Sequence, residues 1–226
     1  MYSVLQNKEN IKFKFDKFPY VIIDDALPKD IYKKLSGSFP KPEKIIGTNE
    51  YKENFAYRYN AFNSLRDKEI PDEWKEFIKY HTSYNFLEEF YDIFGNSIKK
   101  IYKVEKERLF TKDNIGVRFE KNNHFNLDCQ FVINTPTSGD TSVIEPHLDN
   151  PVEFYAALLY MKDVDDDSRG GNLTTYDFKD KPSFYGKSRV RDVILDGPYY
   201  IDPSYFTSNS YTYTKPDGRI GITTAS

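Results

Sequence analysis

Near Lys106 the hydrophobic period of this chain changes from helical to strand-like, and that change limits the folds open to it. Upstream, Pro71 opens a stretch in which Trp74, Phe77, Ile78 and His81 recur at helical spacing. Phe86, Leu87, Phe90, Tyr91 and Phe94 continue it to Gly95, the predicted C-terminal stop. Another helix is predicted after Pro28, where Ile31 and Leu35 share one face. Before it, IKFKFDKFPYVIID (residues 11–24) reads as two short strands broken at Pro19, and FAYRYNAF (residues 55–62) as a third. Beyond Lys106, GVRFE, LDCQFVINTP, FYAALLYM and GNLTTYDF are short strand-like runs separated by Asn, Asp, Gly and Pro. Helices first and strands later predict an α+β chain, mainly β, in which helices buttress an antiparallel sandwich or roll.

The 226 residues are enough for one sizeable core and do not require a second. Hydrophobics make up 38% of the chain and aromatics 17%, so the core is expected to rest on Tyr and Phe, which bury a large area each. The 35 acidic and 32 basic side chains are interspersed, giving a net charge of −3 and no basic block that would point to nucleic acid. No apolar run is long enough to cross a bilayer, and MYSVLQNKEN lacks the layout of a signal peptide. With one cysteine, Cys129, no intramolecular disulfide can form. These features lead to the expectation of a cytoplasmic protein without nucleic-acid or membrane partners. The Lys-, Asn-, Ile-, Tyr- and Phe-rich composition has the character of an A/T-rich genome, such as a phage's.

Chemistry is concentrated in Glu145-Pro146-His147-Leu148-Asp149-Asn150-Pro151. On an extended backbone, residues two apart point to the same side, so His147 and Asp149 can aim an imidazole and a carboxylate at one point. A His-x-Asp pair of this kind fills two of the three protein positions of a non-haem iron(II) site. The other reading is a solvated turn whose carboxylate holds the histidine. Strand parity adds Asp128, Gln130, Val132 and Asn134 on one face of LDCQFVIN, with Cys129, Phe131 and Ile133 on the other. That polar face either lines a roll interior, where Gln130 and Asn134 would contact a bound cofactor, or faces solvent.

PHLDNPVEFYAALLYM…DDDSRGGNLTTYDF resembles the iron(II)- and 2-oxoglutarate-dependent dioxygenases, specifically their prolyl-hydroxylase-like branch. His-x-Asp, an apolar LLY strand and a Gly-Gly-x-Leu strand follow one another in that order. FPYVIIDDALPKDIYKKL looks like the strand-then-helix entry of the same branch, and LDCQFVINTP and FYGKSRV are similar to oxygenases of this type found in marine phages. The resemblance covers about residues 15–192. It implies a double-stranded β-helix (jelly roll) with N-terminal buttressing helices, holding Fe(II) through His147, Asp149 and a distal histidine. It also implies 2-oxoglutarate as cosubstrate, anchored on a late basic residue and decarboxylated to succinate while a substrate C–H bond is hydroxylated.

The chain departs from that pattern in one place. Its three histidines are His81, His124 and His147, so none follows Asp149. The roll is therefore expected to be incomplete at its C-terminus. It would occupy residues 1–196, with a helical buttress over about 28–103 and roll strands over about 106–196, and 197–226 would form either irregular edge strands or, as the missing histidine favours, a divergent tail. His124 sits in a polar turn and His81 on an apolar helix face, where a packed residue is expected. Arg118, Arg189 and Arg191 are candidate carboxylate anchors, with surface salt bridges as the plainer role. The acidic run at 163–167 lacks the ligand spacing of a Ca²⁺ loop. The substrate could be a small molecule, a sugar or a peptide, and a non-catalytic jelly-roll binding module is the competing function. Unpaired strand edges in an incomplete roll predict self-association.

Overall fold

The computed structural model describes residues 2–15, 19–102, 105–121, 123–138, 147–148, 154–161, 175–178, 199–200, 206–209 and 220–223. The chain divides into two compact units: Met1–Ile11 with Ile23–Val143, and Lys12–Ile22 with Ile144–Ser226.

The first unit carries the helices. Pro28 precedes α1 (Lys29–Gly37), its fixed φ suiting a helix entry, and Leu35 is the residue that α1 buries. Helix α2 (Pro42–Ile46) ends at Gly47, whose φ of 83° is the left-handed geometry a glycine cap supplies. Strand β3 (Ala56–Tyr59) stops short of the predicted Phe62 because Asn60 caps α3 (Ala61–Arg66), its side chain accepting from the Asn63 N–H at 2.9 Å. Pro71 opens α4 (Asp72–His81) as expected, and Trp74, Phe77, Ile78 and His81 are the side chains it buries.

Helix α5 (Tyr84–Tyr102) runs straight through Gly95, which corrects the predicted stop. The reason is packing. Phe86, Leu87, Phe90, Phe94 and Ile98 form one buried stripe, and ending at Gly95 would strand Ile98 outside it. A short α6 (Lys106–Leu109) follows, with Phe110 buried at 1% exposure against Tyr91 and Phe125.

Two small sheets complete this unit. β4 (Ile115–Val117) pairs in parallel with β5 (Phe125–Leu127). β6 (Phe131–Asn134) pairs antiparallel with β3, in the register Ala56↔Asn134, Tyr57↔Ile133, Arg58↔Val132 and Tyr59↔Phe131. The core face of that ribbon ends on an aromatic cluster. Phe131 lies 4.9 Å from Trp74 and 5.3 Å from Phe39, all edge-on, while the Trp74 indole donates to the Leu35 carbonyl at 3.0 Å. Edge-on rings with a satisfied indole give an aromatic-rich sequence a specific core.

In the second unit β1 (Ile11–Phe15) and β2 (Pro19–Ile23) are the two strands predicted around Pro19. Its remaining strands are β7 (His147–Leu148), β8 (Ala156–Leu159), β9 (Thr175–Phe178), β10 (Tyr199–Tyr200), β11 (Phe206–Asn209) and β12 (Ile220–Thr223). A four-stranded sheet has the order β1-β2-β12-β8, and two-stranded sheets join β10 to β7 and β11 to β9. Val21 is fully buried and Tyr20 and Ile22 are each 8% exposed, which is why a continuous apolar run occupies an interior strand. No helix among the described residues is long and apolar enough to cross a membrane.

Candidate functional site

The sequence-predicted site residues fall in different parts of the chain. His147 stands on β7, opposite Tyr200 of β10 in an antiparallel register that also pairs Leu148 with Tyr199. Its extended backbone is the state the His-x-Asp argument requires. Asp149 lies outside the described residues, as do Gly170, Gly171, the acidic run at 163–167, Arg189, Arg191 and Arg219. Among the described residues no three His, Cys, Asp or Glu side chains converge to hold a metal.

Gln130 and Asn134 belong to the first unit. The register puts Arg58, Val132 and Asn134 on one face of the β3–β6 ribbon, where Val132 is 38% exposed and Arg58 and Asn134 are also exposed. Gln130 is held from both ends: Arg58 Nη1 donates to its Oε1 at 3.3 Å, and its Nε2 donates to Asp128 Oδ2 at 2.5 Å. Asp128 in turn accepts the Ala61 N–H at 2.9 Å on Oδ1 and lies 3.8 Å from Arg118 Nη1. Asp128 thus ties the loop before β6 to the first turn of α3, and Gln130 joins it to Arg58.

Arg58 was missed in the sequence. Its signal is parity: in FAYRYNAF the one charged residue alternates with core-facing Tyr57 and Tyr59. Its partner β6 lies more than 70 residues on, so no local pattern pairs them.

The other two histidines have separate environments. Both ring nitrogens of His81 are engaged: Nε2 accepts the Val4 N–H at 3.2 Å and Nδ1 lies 2.7 Å from the Phe77 carbonyl. Burial pushes this imidazole down to about 4, with the Phe77 carbonyl opposing part of the shift. A neutral ring that donates from Nδ1 and accepts at Nε2 satisfies both contacts. His124 is exposed, and its backbone N–H donates to the Asn114 carbonyl at 3.0 Å. Burial, and secondarily the Asp128 carboxylate, pushes the Cys129 thiol up to about 12, so it is not poised as a nucleophile.

Among the described residues, the most strongly perturbed carboxylate, Asp67, serves the scaffold. Hydrogen bonds from Lys44 and Tyr59 hold it down to about 2, with Lys44 Nζ at 2.5 Å and the Tyr59 hydroxyl at 2.7 Å. Its lysine partner is correspondingly raised above the ordinary lysine range. Glu69 completes the cluster, 2.7 Å from Lys44. These contacts bind α2, β3 and the end of α3 together. An open depression of about 480 Å³ lined by Gln6, Asn7, Asn10, Asp25, Leu27, Pro28 and Lys29 contains none of the candidate ligand or cofactor-binding residues.

No family model, curated protein or solved structure matches this chain.

Proposed function

We propose that this protein is an iron(II)- and 2-oxoglutarate-dependent oxygenase of the prolyl-hydroxylase-like kind, or a relative in which that metal site has been altered. The observation that carries the reading is the order of motifs: His147-x-Asp149, then Leu158-Leu159-Tyr160 at the end of β8, then Gly170-Gly171 and the strand ending at Phe178. The extended backbone at His147 and the strand state of β8 and β9 support it. A jelly roll and a cytoplasmic location are part of the same proposal.

The donor set fits iron only in part. An imidazole and a carboxylate two residues apart suit Fe(II), and a facial triad needs a third protein ligand. No histidine follows Asp149, His81 has both nitrogens in use, and His124 carries only an exposed ring. These donors do not complete a triad. This shortfall supports a second reading, a non-catalytic jelly-roll module that binds a sugar or peptide.

Anaerobic titration with Fe(II), followed by a 2-oxoglutarate-dependent succinate assay in air, separates the two. The oxygenase reading expects iron uptake and succinate release that both disappear in His147→Ala. Failure of the wild-type chain to take up iron would overturn it. Succinate release abolished by His147→Ala would rule out the non-catalytic module.

A further inference from the structure

The turn after β4 carries a side chain that the fold does not account for. Glu120 N–H donates to the Val117 carbonyl at 3.0 Å, closing a four-residue turn. Its third residue, Phe119, has φ +75°, a value that favours glycine at this turn position and that a bulky L residue adopts only under strain. The other non-glycine residues at positive φ among those described are Asp25 and Asn54, types that tolerate it. Burial does not offset the strain at Phe119, because the residue is 58% exposed. Strain of this kind persists where a residue serves something other than its own fold.

The surroundings of Phe119 indicate what that is. Its ring meets Phe62 edge-on at 6.5 Å, and the Arg118 guanidinium sits 4.9 Å from its centroid. The Arg66 guanidinium stacks 3.6 Å from the Phe62 ring and pairs with Glu120 at 3.2 Å. Arg118 reaches Asp128, which connects through Gln130 to Arg58. Lysine dominates the basic residues of this chain, yet three of the four arginines in the first 143 residues stand on this one surface. Arg58, Arg66 and Arg118 are all exposed. Arg58 donates to Gln130, Arg118 has the Phe119 ring and Asp128, and Arg66 has the Phe62 ring, the Phe62 carbonyl at 2.9 Å and Glu120. With five N–H donors on each guanidinium, every fork keeps donors for a further carboxylate. An exposed Phe119 beside half-buried Phe62 and three held arginines has the Phe- and Arg-rich composition of protein interfaces.

We propose that Phe62, Phe119, Arg58, Arg66 and Arg118 form a docking surface for an acidic peptide segment of another protein. An apolar side chain of that segment packs on Phe119, and its carboxylates meet the guanidinium edges. Asp128 and Glu120 lie between the arginines, an arrangement that repels a continuous phosphate backbone and that spaced peptide carboxylates can avoid. The surface belongs to the first unit and does not depend on the reading of His147.

The test uses the full chain and fluorescence anisotropy with a short labelled peptide of alternating glutamate and phenylalanine. The comparison probes are a lysine–phenylalanine peptide and oligothymidylate. The acidic peptide binds, and the lysine peptide does not. Arg66→Ala combined with Arg118→Ala weakens binding about tenfold or more, as does Phe119→Gly, consistent with hot-spot residues. Phe119→Gly leaves the thermal midpoint unchanged or raises it, since glycine accepts the positive φ. Absence of acidic-peptide binding, binding unaffected by these variants, or tighter binding of oligothymidylate would overturn the proposal. So would a lowered midpoint in Phe119→Gly, which would assign the ring to the fold.

Discussion

At the scale of single residues, His81 shows how burial turns an ordinary side chain into a pH-dependent part of the fold. It lies among Phe77, Tyr80 and Phe86, with ring centroids at 3.9, 5.6 and 4.7 Å, and it accepts the backbone N–H of Val4. Protonation would place a second N–H against that donor inside an apolar cage. The folded ring is therefore pushed from 6.5 down to about 4. Above pH 6.5 both folded and unfolded chains hold a neutral ring, and the full stability is present. Below it the unfolded chain takes up a proton that the folded chain refuses, so stability falls until about pH 4, by roughly 3 kcal/mol in total. Unfolding free energies from urea titrations of wild type and His81→Gln, measured from pH 7 to pH 4, should show the wild type losing about 3 kcal/mol more than the variant. Parallel curves would show that His81 does not set the acid limit. The sequence placed His81 on the buried face of a helix. It could not supply Val4 as the partner, because a contact across 77 positions leaves no periodic trace.

At the scale of elements, periodicity predicted helices wherever one apolar stripe continued, and punctuation misled where packing overrode it. Gly95 reads as a helix stop, but the stripe from Phe86 to Ile98 carries α5 across it. The glycine has a local use as well: a Cβ there would lie 2.8 Å from the Tyr91 ring, which itself packs edge-on against Phe110 at 5.8 Å. Gly95→Ala should gain about 1 kcal/mol from helix propensity alone, and contact with Tyr91 should cancel that gain. In a Tyr91→Ala background the gain should return. Thermal or urea unfolding of the four chains would measure a coupling of about 1 kcal/mol between the two positions. Additive effects would mean that the ring moves aside freely. The ends of β3 and α3 were less legible for a related reason. The boundary is set by the Asn60 cap and by Asp128, which accepts the Ala61 N–H from far along the chain.

At the scale of the whole molecule, residues 197–226 are open to two readings. Apolar periodicity is poor there, and the sequence reading assigns them to a divergent tail outside a roll ending near 196. Strand pairing gives the same segment three strands, of which β12 lies between β2 and β8 in the four-stranded sheet. Its register sets Ile220 opposite Leu159, Gly221 opposite Leu158, Ile222 opposite Ala157 and Thr223 opposite Ala156. Four residues are too few to produce a readable alternation, particularly with a glycine among them. A strand so placed is legible only through its partners, which lie about 60 and 200 residues away. The two views differ in what removal of the segment does. If β12 is an interior strand, a chain ending at residue 196 loses the hydrogen-bonding partner of both β2 and β8. Backbone groups that must be paired when buried would then face water or a neighbouring molecule. That chain should lose β signal in circular dichroism and form larger species at rising concentration by light scattering, while α4 and α5 in the other unit keep their helical signal. A chain ending at 196 that remains monodisperse, with undiminished β signal and unchanged unfolding midpoint, would instead establish the segment as an appendage and return the roll to its predicted bounds.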